Sequence, residues 1–153
     1  MPVFPSSEWL DAYVDAINTS ADFAEAAKTF RADLSYVFEA DPDYGHETDV
    51  WARAGVKDGV CEWWHYDVPP EEGAKAEFIL RAPYSMWREI ILGEVDPMEA
   101  MLDGDLAVTG HLPTLLRYVR AANELVTLAA AVSTNFEGEP LAEPTAGAAS
   151  ATG

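Results

Sequence analysis

The chain has 153 residues, 49% of them hydrophobic, and carries 27 acidic against 9 basic residues for a formal net charge of −18. That length allows one domain plus at most a tail, with enough apolar material for a single core. The acidic excess argues against nucleic acid and against anionic membrane as partners, because binding phosphates requires clustered Lys and Arg.

Taken in chain order, Pro5-Ser6-Ser7-Glu8 is a helix start, and Trp9, Leu10, Tyr13, Val14 and Ile17 form an apolar stripe up to Asn18. Ser20-Ala21-Asp22 opens a second, shorter helix through about Thr29, with Phe23, Ala26 and Ala27 inward. Arg31–Ala40 then alternates Leu34, Tyr36 and Phe38 against Asp33, Ser35, Val37 and Glu39, which predicts a strand. Asp41-Pro42-Asp43-Tyr44-Gly45 reads as a turn. Thr48–Ala54 is a second strand, Lys57-Asp58-Gly59 a hairpin turn and Val60–Val68 a third strand. Pro69-Pro70-Glu71-Glu72-Gly73 ends that strand, and Lys75–Arg81 alternates again as a fourth. Consecutive strands with short turns predict an antiparallel meander.

Pro83 opens a helical run closed by Gly93. Asp96-Pro97-Met98-Glu99 carries an Asp cap, a Pro at the first helical position and a Glu three after the cap, and Gly104 keeps that helix short. Asp105–Thr109 is a fifth strand, with Leu106 and Val108 on one face. After Gly110 comes the longest helical pattern, with Leu112, Leu115, Leu116, Val119, Ala122, Asn123, Val126 and Ala130 on one stripe. Beyond Phe136 the chain reads EGEPLAEPTAGAASATG, a disordered tail by composition, so 1–136 is expected to be the domain and 137–153 the tail.

The strands have two unlike faces. Leu34, Tyr36, Phe38, Val50, Trp64, Tyr66, Phe78, Leu80, Leu106 and Val108 should meet the helices, while the opposite face is charged and solvated. That charged face also holds Val37, Ile79, Trp51 and Trp63, and the two Trp suggest a homodimer through it.

Little here promises chemistry. His65 shares a strand face with Cys61, and four extended residues separate them by ~13 Å, too far for one metal or a Cys–His pair. Asp96, Glu99, Asp103 and Asp105 read as helix capping and solvated charge, not as a cation site. No metal, cofactor or catalytic residue is expected. Cys61 is alone, so no intramolecular disulfide is available. The first residues lack a signal-peptide pattern and no apolar run reaches the ~18–20 residues that cross a bilayer, so the expectation is a soluble cytoplasmic protein. The acid-rich, Lys-poor composition fits a high-salt cytoplasm, where screening removes self-repulsion.

The segment from Phe78 to Leu125 resembles the C-terminal half of the sterol carrier protein, or SCP-like, family. Gly93, Pro97, Ala100, Met101, Gly104, Leu106, Val108 and Gly110 fall where that family's short helix, "L-x-V-x-G" strand and long amphipathic helix place theirs. The resemblance is strongest over residues 75–126 and implies an α+β fold, with a five-stranded, mainly antiparallel sheet covered on one face by helices. It implies lipid or sterol binding in a hydrophobic tunnel, without catalysis. The same fold also occurs as an appended domain, for example in alkylsulfatases.

On that reading the ligand is a lipid, sterol or fatty acyl group. The expected wall is Leu34, Tyr36, Phe38, Phe78, Leu80, Trp87, Ile91, Met98, Met101, Leu102, Leu106, Leu116 and Val119. Asn123 bonds either a loop backbone or a ligand head group. The rival expectation is a non-catalytic interaction module of the same fold whose core is filled.

Overall fold

The computed structural model describes residues 2–132 and 134–136, and the expected tail, 137–153, lies outside the described residues. Two short strands, β1 (Val3–Phe4) and β7 (Asn135–Phe136), pair in parallel and bring the two ends of the described chain together. Between them lie α1 (Ser7–Thr19), α2 (Ala21–Ala26), β2 (Arg31–Glu39), β3 (Val50–Lys57), β4 (Val60–Tyr66), α3 (Pro70–Gly73), β5 (Phe78–Pro83) and α4 (Tyr84–Ile91). They are followed by α5 (Pro97–Asp103), β6 (Ala107–Thr109), α6 (Leu112–Arg117) and α7 (Val119–Ala130). The architecture is α+β, with a five-stranded sheet that is antiparallel except for one pair.

Local chemistry sets the starts of three helices and the end of one. Ser6 Oγ accepts from the Trp9 amide at 3.0 Å and Ser20 Oγ from the Phe23 amide at 3.0 Å, capping α1 and α2. Asp96 accepts from the Glu99 amide at 3.1 Å with Pro97 following it, and Gly104 ends α5 at φ 83°, a left-handed conformation that disfavours a Cβ.

The sheet order is β4-β3-β2-β5-β6, and this corrects the expected meander. β2, β3 and β4 do pair antiparallel in sequence order, but β5 joins on the far side of β2 and parallel to it, Leu34 opposite Phe78 and Tyr36 opposite Leu80. A parallel pairing cannot be closed by a tight turn, so the chain from β4 must cross the sheet. It crosses on the face away from the helices and carries α3 with it.

That crossing also changes the expected solvated face. Ser35 Oγ donates to the Gly73 carbonyl at 2.7 Å, and both Ser35 and Val37 are fully buried. Trp51 lies so close over Gly73 that a Cβ there would sit 2.3 Å from the indole. Arg81 covers the same ring at 5.1 Å and pairs with Glu39 at 3.0 Å. Trp51 is thus only 7% exposed and is spent on packing within the chain, while Trp63 remains 37% exposed.

A bulge separates Cys61 from His65. The register of β3 with β4 shifts between Gly55 and Val56, so Cys61 pairs with Val56 and Trp63 with Gly55. Cys61 therefore turns into the helix-side core, and His65, opposite Arg53, lies on the other face beside Trp63. The shared face expected from strict alternation does not survive the inserted residue.

The long helix predicted after Gly110 is two helices. Tyr118 leaves helical geometry at φ −115°, ψ 32°, and its hydroxyl donates to the Thr29 carbonyl at 3.2 Å while its ring lies 5.0 Å from that of Phe30. Anchoring this side chain to the α2–β2 joint splits the apolar stripe. α7 buries Val126 from the expected stripe together with Ala121, Leu125 and Ala129, so its buried face is turned from the one predicted.

Buried hydrogen bonds join three elements within the core between helices and sheet. Tyr13 donates to the Leu125 carbonyl at 2.5 Å and so must accept from the Tyr36 hydroxyl, 3.0 Å away. Three elements, α1, β2 and α7, meet there. Tyr13→Phe removes a donor to a buried carbonyl and the acceptor of a buried hydroxyl. A loss of about 1–3 kcal/mol in unfolding free energy by urea titration is expected.

Candidate functional site

The apolar residues expected to line one cavity divide into two groups. Leu34, Tyr36, Phe38, Phe78, Leu80, Trp87 and Ile91 are all buried in the core cluster. Aromatic edges interlock there: Phe38 meets Trp87 at 5.3 Å and Phe4 at 4.9 Å, and Tyr36 meets Trp87 at 6.1 Å. Trp87 also donates through Nε1 to the Val37 carbonyl at 2.9 Å, which fixes its ring.

The second group lines a groove. Met98, Met101, Leu102, Leu106, Leu116 and Val119 face a cavity of about 410 Å³, together with Gly104, Ala107, Val108, Leu115 and Ala122. α5 forms one wall, β6 the floor, and α6 with the first turn of α7 the other wall. No polar side chain is among these residues, so nothing in the groove can accept or move a proton. The volume lies within the 300–1,000 Å³ range of small-molecule pockets.

The local sequence explains why this space is left. Gly104 and the bend at Asp105 and Leu106 turn the chain from α5 into β6, and β6 is only three residues long. Gly110 sits at φ 149° where a Cβ would lie 2.3 Å from the Phe78 ring, which lets the chain pass close over β5 before α6 starts. α6 then ends before Tyr118, and its Leu115 and Leu116 line the groove. Leu102 is 80% exposed, Leu116 72% and Val119 41%, so the rims of the groove are apolar and open to water.

Of the residues missed among the expected wall, Val108 and Leu115 were visible on the predicted stripes, and Ala122 follows Leu115 and Val119 at helical spacing. Ala107 and Gly104 carry no such signal. Asn123 is half-buried and lines neither the core nor the groove.

Elsewhere the open sheet face holds a shallow cleft of about 520 Å³ lined by Arg53, Trp63, His65, Val68, Pro69 and Glu72. The Arg53 guanidinium is occupied by Asp33, with Nε to Oδ1 at 2.8 Å, and by the Glu72 carbonyl at 2.8 Å. Among the described residues no group of three His, Cys, Asp or Glu could hold a metal ion. No helix among them is long and apolar enough to cross a membrane.

Comparison with known proteins adds to this geometry. Residues 56–123, which include every residue lining the groove, match the SCP-2 sterol transfer family. A crystal structure of sterol carrier protein 2 superposes with a TM-score of 0.73 at 28% identity, covering 82% of this chain and 96% of that one. A conserved hypothetical protein of Thermus thermophilus, described as a possible sterol carrier protein, gives 0.71 at 26% identity over 88% and 92%. Sterol carrier protein 2 from Yarrowia lipolytica gives 0.52 at 15% over 84% and 94%, a likeness of fold. No curated protein matches the sequence.

Cys61 is the one thiol, and burial pushes it up to about 11. Because its proton is held more tightly in the folded chain, the thiol stays protonated at pH 8 and reacts slowly. Alkylation by iodoacetamide at pH 8 is expected to be at least tenfold slower on the folded protein than in urea, read by intact mass.

Proposed function

We propose that this chain, which shares the SCP-2 fold and the SCP-2 sterol transfer family's pattern over residues 56–123, binds an apolar lipid-sized molecule in the α5–β6–α6 groove and carries it. The observation that carries the reading is a groove of about 410 Å³ with only apolar side chains on its walls. Met98 and Met101, unbranched and flexible, suit such a groove because they can refit around ligands of different shape. Affinity comes from apolar surface removed from water, and selectivity from the length and width of the groove. No side chain inside the groove can pair with the polar head of a ligand, which therefore stays at the mouth.

The residues proposed to contact ligand are therefore Met98, Met101, Leu102, Leu106, Leu116 and Val119 from the expected set, with Val108, Leu115 and Ala122 added. Leu34, Tyr36, Phe38, Phe78, Leu80, Trp87 and Ile91 support the groove from the core beneath it. The protein is read as a non-catalytic carrier. The competing reading, an interaction module with a filled core, draws support from those seven residues. Its docking face is weakened, because Trp51 is buried against Gly73 and only Trp63 remains available.

A dansyl-labelled fatty acid should bind and brighten, with affinity rising about fourfold per added methylene at roughly 0.8 kcal/mol each until the groove is full. Absence of uptake across the chain-length series, together with no lipid by native mass spectrometry, would remove the reading. Ala122→Trp, placed on the wall and half-buried, should raise the dissociation constant at least tenfold while leaving the melting temperature within a few degrees.

A further inference from the structure

The rims of the groove hold the two most exposed large apolar side chains of the described residues, Leu102 and Leu116, with Val119 beside them. The wall formed by α6 and the start of α7 also differs in charge from the rest of the chain. Residues 106–123 contain no Asp or Glu, the longest acid-free run in a sequence with 27 acidic residues, and within it stand Arg117 and Arg120. Both are exposed. Three other arginines are occupied, Arg31 by Asp58, Arg53 by Asp33 and Arg81 by Glu39. Among the described residues no carboxylate pairs with Arg117 or Arg120, and Arg117 rests over the Tyr118 ring at 5.7 Å.

We propose that the α6–α7 wall docks on a phospholipid bilayer and sets the mouth of the groove against it. Leu116 and Val119 enter the boundary between head groups and acyl chains, and the two guanidinium groups meet lipid phosphates at the same level. A single surface thus offers apolar contact and phosphate contact side by side, which is what a bilayer interface presents. A ligand chain passes between bilayer and groove without being exposed to water along its length. The opposite wall carries Glu99 and Asp103, and the rest of the chain is strongly acidic, so the surface that fits is a zwitterionic bilayer and not an anionic one. This inference rests on the lipid-binding reading for what moves through the mouth, but the docking itself does not depend on it.

The test uses the full chain with phosphatidylcholine vesicles. Wild-type protein should float with the vesicles in a density gradient, and transfer of dansyl-labelled fatty acid from vesicle to protein should speed up with vesicle concentration. R117E/R120E changes no residue on the groove wall. It should lower both the floated fraction and the transfer rate at least fivefold while leaving the vesicle-free dissociation constant of the probe within twofold; R117K/R120K should restore most of the loss. Should the Glu pair lower the melting temperature, R117Q/R120Q is read in its place. Flotation and transfer unchanged by the charge reversal, a wild-type protein that does not float, or a transfer rate independent of vesicle concentration would overturn the docking surface. Failure of the probe to bind without vesicles would instead remove the lipid-binding reading, and flotation alone would then decide the docking.

Discussion

The parallel pairing of β2 with β5 is the constraint on which the rest of the molecule depends. It forces the chain leaving β4 across the back of the sheet, and that crossing covers Ser35, Val37 and Trp51. β2 is thereby buried on both faces, which accounts for its nearly unbroken burial and its role as the element every layer packs on. It also delivers β5 and β6 to the edge farthest from β4, so α5 and α6, which flank β6 in the chain, stand at that edge with the start of α7 beside them. The groove is a consequence of topology before it is a consequence of side chains.

Two kinds of apolar packing result from one composition. Aromatic residues gather where three elements meet, and their rings pack edge to face. Aliphatic residues and methionines gather at the far edge, where α6 ends before Tyr118 and leaves Leu116 exposed to water. The Tyr13–Tyr36–Leu125 hydrogen bonds hold the first region rigid. The side chains that line the second region are all apolar, so they can shift around a ligand without breaking a side-chain hydrogen bond.

Charge and hydrophobicity are distributed together. Acidic residues are spread over most of the chain, yet the groove wall from 106 to 123 has none. A surface both apolar and free of acid is found where a lipid would enter, and the physical demand on a carrier, keeping an acyl chain out of water during exchange, falls on that same place.

Residue identity alone determined most of the elements and several of their starts and stops. Ser6, Ser20, Asp96-Pro97 and Gly104 act through backbone groups within three or four residues, so they could be read directly, and so could the α+β class and the SCP-like pattern around Gly93, Gly104 and Gly110. Periodicity also found the apolar residues, because alternation and helical spacing report which side of an element leaves water. It could not say what each side would meet. Whether β5 pairs with β4 or with β2 is a choice among non-local hydrogen bonds that look alike from the strand itself. One bulge residue reversed the relation of Cys61 to His65, and a contact from Tyr118 to Thr29, distant in sequence, broke a stripe that local spacing continued. Which greasy side chains fill a core and which surround a space was decided by the tertiary structure, because burial is a property of the partner as much as of the residue.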